Sequence, residues 1–349
     1  MTIEVVQWSR RLVRGLLRVG LRALLWLCVI TVVWGVANAL RAFAIERATP
    51  EHAASGVGRW LTAHDVQLHV VEHGDPQAPL LVLTAGTGAW AGTWRDSIEP
   101  LVRAGWRVVA IDLPPFGFSH RPPNGEYTRR AQAQRLIGAL RQLDSAPVVL
   151  LGHSYGGGPA AEAAMLQPSL VRHLILVDAA IGLRKPDVAP CAAPGVVIDA
   201  LRWRPLRTSL VSATGTQPLL TGVLLRGFVA RKDVITEDRL SIYREPLAVR
   251  GTSAAIGDWA LQFASECDGS LSMSVAGFAA LRMPLSLLWG DLDTVTPLQQ
   301  ARDIVAAAPG ARLVVLPGVG HIPQIEDAPL FNARLVELLH GLLPKPKAG

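Results

Sequence analysis

Beyond residue 59, short apolar runs alternate with amphipathic stretches, the pattern of strands joined by helices. Apolar runs at 80–83, 108–111, 148–151, 174–177, 284–289 and 312–316 have strand length, and two earlier strands are expected around Trp60 and at 67–72. Helical patterns at 93–103, 128–143, 155–166, 298–307 and 329–342 fall between them. A helix after each strand returns the chain to the same edge, which predicts a mostly parallel α/β sheet. Between Asp178 and Pro284 the alternation stops. Helical patterns at 197–203, 217–228, 236–243 and 253–263 predict a helical cap inserted at about 180–282. Its apolar positions Leu220, Leu224, Phe228, Trp259 and Phe263 either line an acyl pocket or form the cap's own core, and Trp90 and Trp94 carry the same ambiguity.

The amino-terminal part follows another rule. Residues 23–40 are apolar apart from Thr31 and Asn38, and eighteen helical residues span about 27 Å, so one membrane-spanning anchor is predicted. Residues 1–22 precede it as a basic amphipathic segment in which Arg11, Arg14, Arg18 and Arg22 recur at helical spacing. That stripe suits an anionic inner leaflet, leaving the amino terminus in the cytoplasm and the following domain on the other side of the membrane. Ala37, Asn38 and Ala39 also fit a small-x-small cleavage site, so secretion after cleavage near Ala39 is the alternative. A linker at 41–58 leads into the domain at 59–349.

Charge adds little beyond this. Of 34 basic and 28 acidic residues, the first forty hold five Arg and one Glu, which leaves 29 against 27 in the remainder. That diffuse remainder of +2 is no basic stripe, and no recognition motif supports nucleic-acid binding. Cys28 lies in the apolar segment, while Cys191 and Cys267 fall in the insertion, where an exported domain allows either a disulfide or two buried thiols. His69 and His73 share a strand face, but no Cys or Asp cluster completes a metal site, and neither metal nor cofactor is expected.

The sharpest chemistry lies after the run at 148–151. Gly152, His153, Ser154, Tyr155, Gly156 and Gly157 join that strand to an alanine-rich helix, placing Ser154 at the apex of a strained turn flanked by residues without side chains. A serine hydroxyl needs a base, and the base needs an orienting acid. His321 follows the strand at 312–316, and Asp293 follows the one at 284–289. Loops after parallel strands share one sheet edge, so Ser154, Asp293 and His321 are expected to converge. Asp178 is the next candidate for the acid, whereas Asp291 suits a turn-capping acceptor. Oxyanion donors are expected from the backbone N–H groups of Tyr155 and of Thr87, the latter in the glycine-rich exit after residue 83.

Taken in order, the loop after Leu83, Asp112-Leu113-Pro114-Pro115-Phe116-Gly117-Phe118-Ser119, the Ser154 turn, Trp289-Gly290-Asp291-Leu292-Asp293 and Gly320-His321 resemble the capped serine hydrolases of the α/β-hydrolase fold family, over roughly residues 59–343. The resemblance implies an eight-stranded mostly parallel sheet, the triad Ser154, Asp293 and His321, and a structural role for Asp112. Two positions depart from it: Ala85 stands where relatives commonly carry His before Gly86, and Pro115 replaces a glycine. A serine nucleophile disfavours the dehalogenase and epoxide-hydrolase branches. The function implied is anchored hydrolysis of a small-molecule carboxylic ester, lipid-like given the membrane and the apolar cap. Carbon–carbon bond hydrolysis, cofactor-free perhydrolysis and a catalytically silent binding module are the alternatives.

Overall fold

The computed structural model describes residues 2–144, 146–184, 195–266 and 269–343, with side chains from Leu16 onward. Its strands are β1 (Arg59–Ala63), β2 (Val66–His73), β3 (Leu80–Thr84), β4 (Arg107–Ile111), β5 (Val148–His153), β6 (Val171–Val177), β7 (Leu285–Gly290) and β8 (Arg312–Leu316). They form one sheet of eight in the order β1-β2-β4-β3-β5-β6-β7-β8. Only β2 breaks the parallel run, pairing antiparallel with both β1 and β4.

Successive strand residues face opposite sides, so the same strands feed two cores. Leu80, Val82, Leu150, Leu176 and Leu287 pack toward the helices Arg129–Leu143, Gly157–Leu166 and Leu298–Ala307. Leu81, Leu83, Leu151, Val177 and Leu288 pack toward Arg95–Arg103 and Ala328–His340. The chain leaves β3 toward one face and β5 toward the other, although the two strands are neighbours. This reversal opens a crevice at their carboxyl ends, where a parallel sheet binds its ligands.

The insertion between β6 and β7 is helical, with Val196–Leu201, Arg204–Ala213, Thr221–Phe228, Glu237–Arg244, Thr252–Ala264 and Val275–Ala279 among its described residues. Four of these match the expected patterns to within a few residues. Arg204–Ala213 is not among them, and its burial explains why: it buries Arg207 and Ser212 while Leu210 stays 45% exposed, reversing the apolar periodicity from which helices are read. Cys191 and Cys267 lie outside the described residues.

The amino-terminal helix is longer than expected. It runs unbroken over Thr2–Ile45, so residues 41–45 of the expected linker are helical, and a further short helix, Pro50–Ala53, follows. Neither 22 nor 40 marks an element boundary. The stretch Leu16–Ile45 is long and apolar enough to cross a membrane. Its last turns lie against the cap: Arg41 donates to the carbonyls of Ser212 (2.9 Å) and Thr216 (3.0 Å), and the Trp34 indole N–H to that of Ala213 (3.3 Å).

Candidate active site

β5 ends in the turn that holds Ser154. The serine has φ +50°, in the left-handed region that a residue with a side chain enters at a cost. Its neighbours explain why the turn needs glycine. A Cβ on Gly152 would come within 2.6 Å of Gly157 Cα, and one on Gly156 within 2.6 Å of the Ala85 carbonyl oxygen. With those positions bare, the chain folds tightly enough to lift the Ser154 hydroxyl above the carboxyl end of the sheet.

The loops after β7 and β8 complete the constellation. His321 Nε2 lies 2.8 Å from Ser154 Oγ, and its Nδ1 lies 2.9 Å from Asp293 Oδ2. All three side chains are buried. An ionised carboxylate only accepts, so Nδ1 carries the proton toward Asp293 and Nε2 is left to accept from the serine hydroxyl. Asp293 is fixed in turn by the backbone N–H groups of Val295 (2.7 Å) and Thr296 (2.9 Å) at Oδ1, and by the Thr296 hydroxyl (2.6 Å) at Oδ2. Burial pushes its pKa up, but His321 and the Thr296 bonds outweigh that and hold it below the usual carboxylate value.

The other two candidate acids have different partners. Asp291 Oδ1 accepts from the Gly318 N–H (2.7 Å) and ties the β7 exit to the β8 exit, the capping role expected of it. Asp178 is fully buried at φ +41°, and its Oδ1 accepts from the Gly290 N–H (2.9 Å). Among the described residues no N–H or O–H donor reaches its Oδ2, and Asp293 is the neighbouring carboxylate. Burial and then the Asp293 charge raise the Asp178 pKa well above the ordinary value, with Glu326 adding to the effect. A raised carboxyl destabilises the fold only at pH values where the unfolded chain has released that proton. The penalty is absent below about pH 4 and grows as pH rises toward the folded-state pKa. Asp178→Asn should therefore raise the melting temperature relative to the parent at neutral pH and lose that advantage in acid. A thermal-unfolding difference that stays constant with pH would contradict this.

Sequence reasoning missed several supporting residues. Thr296 Oγ1 lies within hydrogen-bonding reach of Asp293, His321 Nδ1 (3.2 Å) and the Asp178 carbonyl (3.0 Å); its place three residues after Asp293, where a turn-forming aspartate finds its partners, was the available signal. Glu326 accepts from the N–H groups of Gly320 (3.0 Å) and Ile322 (3.2 Å) on either side of His321, and from those of Ala230 (2.8 Å) and Arg231 (3.2 Å) in the cap. One buried carboxylate thus joins the histidine loop to the cap, through backbone partners that leave no trace in sequence. His153 lies beside His321 with its Nε2 2.9 Å from the His321 carbonyl oxygen, and burial followed by the nearby His321 lowers its pKa to about 3. An imidazole whose pKa is that low is too weak a base to compete with His321.

The loop after β3 lacks the expected histidine and is held by other means. The Thr84 hydroxyl reaches the carbonyls of Leu151 (3.3 Å) and Gly156 (3.2 Å), the Ala91 N–H donates to Asp112 Oδ1 (2.7 Å), and the Trp90 indole N–H donates to the Ile242 carbonyl in the cap (2.7 Å). Asp112 also accepts from Phe118 N–H and faces His69 Nδ1, each at 2.9 Å, so it is a loop anchor and His69 is its partner. Gly86 packs directly on Ser154, since a Cβ there would lie 2.8 Å from the serine Cβ. Thr87 is exposed and follows it on the rim of the same pocket. Tyr155 starts the turn into the next helix, its ring packed against Phe116 and Trp259 and its hydroxyl 2.8 Å from Gln132 Nε2.

A cavity of about 240 Å³ opens above Ser154 and His321. Of the five apolar cap positions singled out, Leu224 and Phe228 line it, joined by Leu225, Leu247 and Ile256. Trp259 and Phe263 instead stack on each other beside Tyr155, and Trp90 and Trp94 are core residues. Arg121 also lines the cavity, with its guanidinium donating to the carbonyls of Gly117 (3.3 Å) and Ser119 (2.8 Å) and to the Thr252 hydroxyl (3.1 Å).

Residues 78–328 match the family model for the alpha/beta hydrolase fold. A 2-hydroxy-6-oxononadienedioate/2-hydroxy-6-oxononatrienedioate hydrolase from Cupriavidus pinatubonensis is 25% identical over 302 residues, covering 82% of this chain and 96% of that protein. A 2-hydroxymuconate semialdehyde hydrolase from Pseudomonas putida is 27% identical over 288 residues, covering 80% and 93%. Among solved structures, a membrane phospholipase A described as a bacterial virulence factor superposes with a TM-score of 0.65 at 23% identity, covering 94% of this chain and 98% of its own. A meta-cleavage product hydrolase from Pseudomonas fluorescens superposes with a TM-score of 0.64 at 22% identity, covering 82% and 98%.

Proposed function

This chain belongs to the α/β-hydrolase fold family, and on that footing we propose that it is a membrane-anchored serine hydrolase that cleaves carboxylic esters through an acyl-enzyme at Ser154. The observation that carries the reading is the hydrogen-bonded series Ser154, His321, Asp293, with the serine opening onto an apolar cavity. His321 takes the hydroxyl proton as Ser154 Oγ attacks the ester carbonyl. The Tyr155 and Thr87 amides hold the developing oxyanion. His321 then passes its proton to the departing alkoxide, and a water activated by the same imidazole releases the acid. Asp293 stays ionised and orients the ring.

A lipid-like ester suits the cavity. Leu224, Leu225, Phe228, Leu247 and Ile256 give an acyl chain an apolar lining, and burying each methylene of that chain is worth about 0.8 kcal/mol. The likeness to the membrane phospholipase A also extends over a larger share of this chain than the likeness to the meta-cleavage product hydrolase. Carbon–carbon bond hydrolysis is the second reading, favoured by the names of the curated relatives, whose substrates are dienedioates and a muconate semialdehyde. A dianion needs cations around it. Arg121 is the one Lys or Arg among the described lining residues; its Nη1 and Nη2 groups already serve two carbonyls and a hydroxyl, and of its nitrogens only the buried Nε is without a partner among the described residues.

A panel of esters with acyl chains of increasing length, assayed beside a meta-cleavage product with detergent-solubilised full-length protein, separates the two. Ester hydrolysis with kcat/KM rising with chain length is expected. A flat response across chain lengths would remove the lipid preference, and turnover of the dienoate alone would replace the ester reading with the second one.

A further inference from the structure

The end of the amino-terminal helix is built into the cap. Asn38 is 3% exposed and bonds with the Gln217 side chain, Arg41 serves the carbonyls of Ser212 and Thr216, and Glu46 accepts from the Ser253 N–H (3.0 Å) and faces its hydroxyl. Thr216, Gln217, Ser212 and Ser253 are all buried, so this is a hydrogen-bonded polar interface rather than a loose tether, although Arg41 Nη1 is buried in it without a partner among the described residues. Cleavage near Ala39 would cut the helix in the middle of it.

That contact fixes the height of the cap along the helix. Ala213 lies beside Trp34, and residues 16–33, on the amino-terminal side of that contact, are exposed throughout. Eighteen such residues span about 27 Å, enough for most of a hydrocarbon core, with Arg18 and Arg22 near its far end able to reach the headgroups. Immediately after the contact segment, the cap turns apolar side chains outward: Leu219 is 78% exposed, Val223 66% and Leu224 42%. Gly215, Thr221 and Leu224 line the cavity above Ser154, so Leu224 belongs both to the outer surface and to the pocket wall.

We propose that the segment Leu219, Val223 and Leu224 seats in the lipid leaflet beside the anchor, so that the pocket mouth opens onto lipid instead of bulk water. Lipid seating rests on the anchored reading of the helix and deepens the ester reading, because a lipid ester would enter from the leaflet without first crossing water. The occupant follows from continuity: Leu219 lies two residues beyond Gln217, which bonds Asn38 of the helix, and that helix exposes the apolar Val36 and Leu40 on either side of Asn38.

The test places the full-length protein in phosphatidylcholine vesicles with a fluorescent amino acid replacing Leu219 or, as control, Arg312, which is exposed at the entry end of the edge strand β8, away from the cap. Doxyl-labelled phosphatidylcholine should quench the Leu219 probe roughly twofold and leave the Arg312 probe unchanged, as for side chains inside and outside an interface. Equal emission from the two probes would overturn the proposal, as would protein that fails to float with the vesicles. A second arm needs no probe. Leu219→Asp combined with Val223→Asp should slow hydrolysis of a vesicle-borne ester about tenfold while leaving a soluble short-chain ester unaffected; equal rates on both would contradict lipid seating. A parent protein that hydrolyses neither ester but still shows quenching would remove the proposed activity and leave the membrane contact standing.

Discussion

Ser154→Ala should lower kcat for an ester by about 10⁴-fold or more, with KM little changed. The hydroxyl is the group that forms the covalent bond, and no other described hydroxyl lies within hydrogen-bonding distance of His321 Nε2. Removing it leaves the oxyanion donors and the apolar pocket in place. Binding should therefore survive, while any residual turnover must come from water attacking directly. The elbow's glycine contacts do not depend on the hydroxyl, and the change deletes one oxygen from a side chain that is 6% exposed, so the folded structure should persist. Steady-state kinetics with circular dichroism as a folding control read both parts. A variant that folds and keeps more than about a tenth of the parent kcat would place the nucleophile elsewhere.

Asp293→Asn should cost about 10³- to 10⁴-fold in kcat. The Val295 and Thr296 N–H groups can still be met by the asparagine carbonyl. Its amide nitrogen would then face His321 Nδ1 and present a donor where an acceptor is required, favouring the tautomer with its proton on Nε2. That imidazole cannot accept from the serine. Asp178 does not rescue the arrangement, because its Oδ1 is engaged with the Gly290 N–H and the described partners of His321 Nδ1 are Asp293 and Thr296. Asp178→Asn is accordingly expected to keep most of the parent kcat, and comparing the two variants distinguishes the acids. A severe loss in Asp178→Asn with a mild one in Asp293→Asn would reverse their roles.

The strands, their order of appearance and the helices between them were legible because a parallel sheet buried on both faces writes its strands as uninterrupted apolar runs. The convergence of Ser154, Asp293 and His321 was legible for a related reason, since loops after parallel strands meet at one edge. Choosing between Asp293 and Asp178 was harder. Both follow apolar strands, and what separates them is partners: two backbone N–H groups, a hydroxyl and an imidazole for one, and one N–H with an unmatched oxygen for the other. The cap was visible as an interruption but not in its packing. Arg204–Ala213 escaped because its buried face carries Arg207 and Ser212, and the pocket wall could not be told from the cap core because Phe228 and Phe263 occupy equally apolar stretches yet only the first reaches the cavity. Glu326 was invisible for a physical reason: every hydrogen bond it accepts comes from the backbone, which carries no residue-type signature. The anchor's docking on the cap was hidden likewise, since Asn38 and Arg41 read as polar marks near the end of an apolar run until their partners at 212–217 are seen.

Covalent catalysis through the Ser154 oxygen is the step on which every other assignment depends. Treatment of the full-length protein with a fluorophosphonate ester, followed by proteolysis and mass analysis, tests it most directly. One stoichiometric adduct is expected on the peptide containing Ser154, abolished in His321→Ala while the fold is retained. Folded protein that carries no adduct there, or an adduct on another serine whose formation tracks loss of activity, would contradict it.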